Sequence, residues 1–74
     1  MELQALWWAG KGDWNKAHRL IMDEHSADAA WIHAHLHRVE GDEGNAAYWY
    51  RRANRKPATM EPRAEWQAII ASLL

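Results

Sequence analysis

Cysteine is absent from the 74 residues, which removes disulfides, thiolate metal sites and cysteine nucleophiles at once. Serine occurs only at positions 26 and 72. The first sits where it would cap a helix and the second lies near the C-terminus, so serine catalysis has little to work with. No Gly-rich phosphate loop exists: Gly10-Lys11-Gly12 is too short and no strand precedes it. No apolar run approaches the roughly 20 residues of a bilayer span. The opening Met1-Glu2-Leu3-Gln4 lacks the basic region of a signal peptide. The expectation is a cytoplasmic chain with no membrane contact.

A chain of this length makes one domain with a modest core. Domains this small usually lean on disulfides, metals or a partner. With disulfides excluded, large aromatic side chains or self-association remain. Tryptophans 7, 8, 14, 31, 49 and 66 and tyrosines 48 and 50 favour the first, since each ring buries a large area. They are also too numerous for all to be buried in a small monomer, so a homodimer is a candidate.

The net charge of −1 is unevenly distributed. Residues 1–50 carry four Lys/Arg against eight Asp/Glu, and residues 51–74 carry five against two. The excess lies in Arg51, Arg52, Arg55 and Lys56. These fall at the end of an expected helix, where cations offset exposed carbonyls. Stacking of nucleic acid on Tyr48 and Trp49 beside this cluster is not the expectation, because phosphate affinity needs a broad basic surface.

Apolar residues recur at helical spacing in five segments. The first runs from about Glu2 to Gly10, with Leu3, Leu6 and Trp7 on its stripe and Ala5 and Trp8 beside it. Gly10-Lys11-Gly12 breaks it, and Asp13 caps a second helix reaching about Glu24 with the stripe Trp14, Ala17, His18, Ile21. Ser26 caps a third, with Asp28 in its first turn and the stripe Ala30, His33, Ala34, His37, ending at Gly41. Asp42 caps a fourth, striped by Ala46, Trp49, Tyr50 and Ala53. A linker over 55–61 leads to a fifth helix, 62–74, started by Pro62 and striped by Trp66, Ile69, Ile70 and Leu73.

A shift of 29 residues lays Gly12-Asp13 on Gly41-Asp42, Ala17 on Ala46, Leu20 on Trp49, Ile21 on Tyr50 and Ala5 on Ala34. The expected fold is all-α: two antiparallel helical hairpins, about 2–24 and 27–54, closed by a C-terminal capping helix.

The series Trp8, Gly12-Asp13-Trp14, Ala17, Ile21 resembles a tetratricopeptide repeat, as does Ala34, His37, Gly41-Asp42, Ala46, Tyr50, Ala53. The unit is shorter than that family's, and His37 and Glu43 stand where it prefers large apolar residues. Asn45 through Ala53 resembles the end of a Sel1-type repeat. Ala29 through Ala34, Leu36-His37-Arg38, Glu40-Gly41-Asp42 and the Tyr48-Trp49-Tyr50-Arg51-Arg52-Ala53 segment resemble a group of short bacterial proteins, over roughly residues 5–55. That resemblance implies architecture and no mechanism. Repeat families of this kind mostly bind other proteins, so it implies a small protein-interaction or self-association module.

The third helix offers two candidate sites. Asp28, Trp31, His35 and Arg38 share a face that would line a concave groove, and tryptophan beside arginine is the composition of an interface hot spot. His33 and His37, one turn apart, and His18 from the second helix lie on inward stripes, whereas His25 and His35 do not. Three converging imidazoles have a structural reading as satisfied core groups. The alternative is a His-lined pocket. It could hold Zn²⁺ with an open position, or it could titrate near neutrality for general acid–base work, with Arg38, Tyr48 and Tyr50 orienting an anionic substrate. No other cofactor is implied, and catalysis is not the primary expectation.

Overall fold

The computed structural model describes residues 2–74. Five helices follow in order: α1 (Glu2–Gly10), α2 (Trp14–Ile21), α3 (Ala27–Glu40), α4 (Glu43–Arg52) and α5 (Pro62–Leu73). No strand occurs among the described residues, and none of their helices is long and apolar enough to cross a membrane.

Local chemistry sets the corners. Gly12 (φ 86°) and Gly41 (φ 89°) adopt the left-handed conformation that L side chains resist. Each allows the next amide to reach back over its helix end: Asp13 N–H donates to the Trp8 carbonyl at 3.0 Å, and Asp42 N–H to the His37 carbonyl at 2.9 Å. These are Schellman closures. The same aspartates then open the following helices, their carboxylates accepting from Lys16 N–H at 3.1 Å and Asn45 N–H at 3.2 Å. Hydrogen bonds from the Asn45 side chain and amide hold the Asp42 carboxyl below the usual carboxylate range. One residue thus ends one helix and starts the next, which turns the chain back in very few residues. Asn54 (φ 59°) closes α4 in the same way, with Arg55 N–H donating to the Tyr50 carbonyl at 2.9 Å.

These turns pack α1 against α2 and α3 against α4, while α5 lies across α1 and α3. α3 is central and touches all four other helices. It is buried continuously from Ala29 to His37, so no face of its middle turns is left to solvent. Around it pack Ala5, Leu6, Ala17, Ile21, Ala46, Tyr50 and Ile69, all buried. Alanines at 5, 17, 34 and 46 let helix backbones approach closely.

α1 departs from expectation. Leu3 and Trp7 are 47% and 54% exposed, whereas Ala5 and Leu6 are fully buried and Trp8 and Ala9 partly so. The inner face of α1 meets α2, α3 and α5, and small residues there let the backbones approach closely. Gly10 shows how tight that approach is: a Cβ there would fall 2.6 Å from Cζ2 of Trp66. Trp7 instead lies outside, edge-on to Trp8 and with the Lys11 ammonium over its ring.

Candidate functional site

Two clusters of polar side chains occupy opposite faces of α3. The first joins His18 on α2 to His33 and His37 on α3. Nε2 of His18 and Nε2 of His33 are 2.9 Å apart, so one nitrogen carries the proton and the other accepts it. The ring centroids of His33 and His37 are 5.0 Å apart in stacked geometry, and His18 stands edge-on to both. Aromatic walls fix two of the rings. Trp14 stacks on His18 at 4.8 Å and Trp49 on His33 at 3.8 Å, while the Trp14 indole N–H is anchored to the Leu36 carbonyl.

A carboxylate orients His37. Its Nδ1–H donates to Glu40 Oε2 at 2.6 Å, one turn on. A carboxylate accepts only, so the proton of this bond sits on Nδ1, which leaves Nε2 as the nitrogen free for another partner. The three histidines each offer a nitrogen within 4.8 Å of the other two, and Glu40 and Asp42, both exposed, form a similar set with His37. Burial, then the proximity of His18 and His37, pushes His33 down to about 4. Burial, then His37, lowers His18, with Glu40 opposing. Two imidazoles are therefore neutral near pH 7 and have nitrogen lone pairs to offer. Imidazole suits Zn²⁺, Cu²⁺ and Ni²⁺.

The second cluster has Glu65 at its centre. This α5 carboxylate has no solvent exposure. It accepts from Trp31 Nε1–H at 3.1 Å, His35 Nδ1–H at 2.8 Å, Arg38 Nη1–H at 3.0 Å and the Tyr50 hydroxyl. Burial alone would raise its pKa, but hydrogen bonds from His35, Tyr50 and Trp31 outweigh that and bring it down to about 2. Burial and the bond to Glu65 push the Tyr50 phenol well up. No buried side-chain nitrogen or oxygen among the described residues lacks a partner.

The structure brings His18, His33 and His37 together as expected from their stripes. It separates Tyr48 and Tyr50 from that group: Tyr50 turns to Glu65, and Tyr48 is exposed, edge-on to Trp49 with Arg52 nearby. His25 is exposed. His35 was expected off the inward face and is instead buried, because α3 is enclosed on every side. The open groove expected at Trp31, His35 and Arg38 is corrected likewise: α5 covers it, and the three side chains close on Glu65. Asp28, also assigned to that face, is only partly buried. Glu65 was not anticipated. The available signal was its position, four residues before Ile69, which places a charge within the buried stripe of α5.

No family model, curated protein or solved structure matches the chain.

Proposed function

We propose that this chain is a metal-binding helical domain in which His18, His33 and His37 hold one transition-metal ion, with Zn²⁺ the best fit. The observation that carries this reading is the convergence of three imidazole nitrogens within 4.8 Å, with Glu40 accepting from Nδ1 of His37. Carboxylate–histidine pairs of this kind fix tautomer and ring orientation at metal centres. Ligands of a tetrahedral Zn²⁺ with Zn–N bonds of about 2.0–2.1 Å stand about 3.3 Å apart. The 2.9 Å separation of His18 and His33 therefore needs only a small opening as the shared proton is replaced by the cation.

The donor set argues for the ion's class. Three imidazole nitrogens without thiolate or a first carboxylate favour borderline metals over Ca²⁺ or Mg²⁺, which seek oxygen. Three protein ligands leave a fourth position for water or an external donor. Bound metal would also join α2 to α3 and so staple the two helical pairs, the kind of support a small core benefits from.

Isothermal titration of purified protein with Zn²⁺ tests the reading. Binding at one ion per chain is expected, abolished by His33→Gln and weakened by about 10–100-fold by Glu40→Gln. The indoles of Trp14 and Trp49, stacked on two ligands, should report Cu²⁺ binding by fluorescence quenching. Absence of saturable uptake of Zn²⁺, Ni²⁺ or Cu²⁺ up to about 1 mM would remove the proposal.

A further inference from the structure

The residues that receive α5 form a recognition groove rather than a smooth apolar face. Three separate features read three residues of one helix. Donors from Trp31, His35, Arg38 and Tyr50 enclose the Glu65 carboxylate. The Trp66 indole lies against Gly10, where any Cβ would collide with it, and donates to the Leu6 carbonyl at 2.7 Å. Ile69, fully buried, fills the apolar remainder. The groove thus selects a helix carrying Glu-Trp-x-x-Ile, with the acid as its most demanding element, since four donors would be left facing an apolar substitute.

The chain that delivers this helix is an irregular linker. Residues 53–61 contain no regular structure beyond the α4 terminus. Between Asn54 and the start of α5 they are held by Arg55 over the Trp31 ring, by Arg38, which donates to the Met60 carbonyl, and by Ala58, partly buried against the core. Nine residues drawn out span about 30 Å. The domain measures 24 × 23 × 23 Å, so an extended linker reaches across a neighbouring molecule. The groove contacts would be the same whichever copy supplies α5.

We infer that the groove lined by Trp31, His35, Arg38, Tyr50 and Gly10 is an interaction site for α5 of a second copy of this chain, giving a dimer by reciprocal helix exchange. This stands on residues separate from the histidine triad and does not depend on metal. The cis connection supplies α5 at an effective concentration on the order of millimolar. Exchange therefore appears when the protein is concentrated during refolding or when its own α5 is loosened.

The test uses the full chain and a fluorescently labelled peptide of residues 57–74. Full-length Trp66→Ala, whose α5 keeps Glu65 but loses its slot at Gly10, should bind the peptide saturably and at least about tenfold more tightly than wild type does. The peptide carrying Glu65→Ala should not bind. Wild type refolded at about 1 mM should contain a dimer by light scattering that persists on dilution. Failure of the peptide to bind Trp66→Ala that retains its far-ultraviolet helical signal would overturn the groove as a recognition site. Should that variant not fold, native hydrogen exchange of wild type decides: α5 amides must open at lower free energy than those of α3, and equal protection refutes exchange. Peptide binding with a strictly monomeric refolded chain would overturn the second copy as occupant.

Discussion

Acidification from neutral pH to about 4 places protons on imidazoles that the fold holds neutral. His33 is the sharpest case, because its folded pKa is about 4 against 6.5 for the free group. The unfolded chain binds this proton first, so the stability that His33 contributes is complete above about pH 6.5 and is lost progressively as pH falls through about 4. That difference corresponds to about 3 kcal/mol. A domain of this size has about 4–11 kcal/mol of stability to lose. The groups facing His33 are His18 from α2, His37 on its own helix and Trp49 from α4; His18 is displaced in the same direction and adds to the slope. Urea unfolding followed by far-ultraviolet circular dichroism at both ends of this range measures the loss. His33→Gln should lose about 3 kcal/mol less than wild type on going from neutral to acid. Equal losses in the two proteins would show that His33 is not held neutral by the fold, and would refute the reasoning.

Glu65→Gln leaves one acceptor oxygen where a carboxylate met four donors; thermal or urea unfolding should show a cost of about 3–5 kcal/mol. Because the folded pKa of Glu65 is about 2 against 4.5, its contribution is present above about pH 4.5 and fades towards pH 2. Wild type should therefore show a second acid-induced loss below that of His33, absent in the variant. Gly10→Ala drives a methyl into Trp66 and should destabilise by about 1–3 kcal/mol in the same assays. Gly41→Ala, forced to φ 89°, should cost about 1–2 kcal/mol. The control Gly44→Ala, helical and without a close neighbour, should stabilise by about 0.5–1 kcal/mol.

The corners and caps were legible in the sequence because each is a local device. Gly12-Asp13 and Gly41-Asp42 need only the left-handed tolerance of glycine and the acceptor of aspartate, and Ser26 and Pro62 mark helix starts for equally local reasons. The histidine triad was legible because spacing places His33 and His37 on one face, and a short connection brings α2 alongside. What periodicity could not supply was the number of neighbours around each helix. Periodicity assigns α3 one inner face, although four helices enclose it, and so puts His35 outside and leaves Trp31 and Arg38 facing a groove. The missing partner was Glu65, a charge in an apolar stripe. Its sense depends on Arg38, His35, Trp31 and Tyr50 arriving from 15 to 34 residues away. On α1 Leu6 of the expected stripe is buried, but Leu3 and Trp7 lie outside and Ala5 takes the inner face with it, while Gly10 meets Trp66, because close approach as well as hydrophobicity decides that surface.

X-ray absorption at the zinc edge of an equimolar Zn²⁺ complex reports most directly on ligation by His18, His33 and His37. Three imidazole shells with nitrogen at about 2.0–2.1 Å plus one light donor are predicted. A first shell of oxygen alone, or an imidazole signal unchanged in His33→Gln, would contradict a metal centre at this triad.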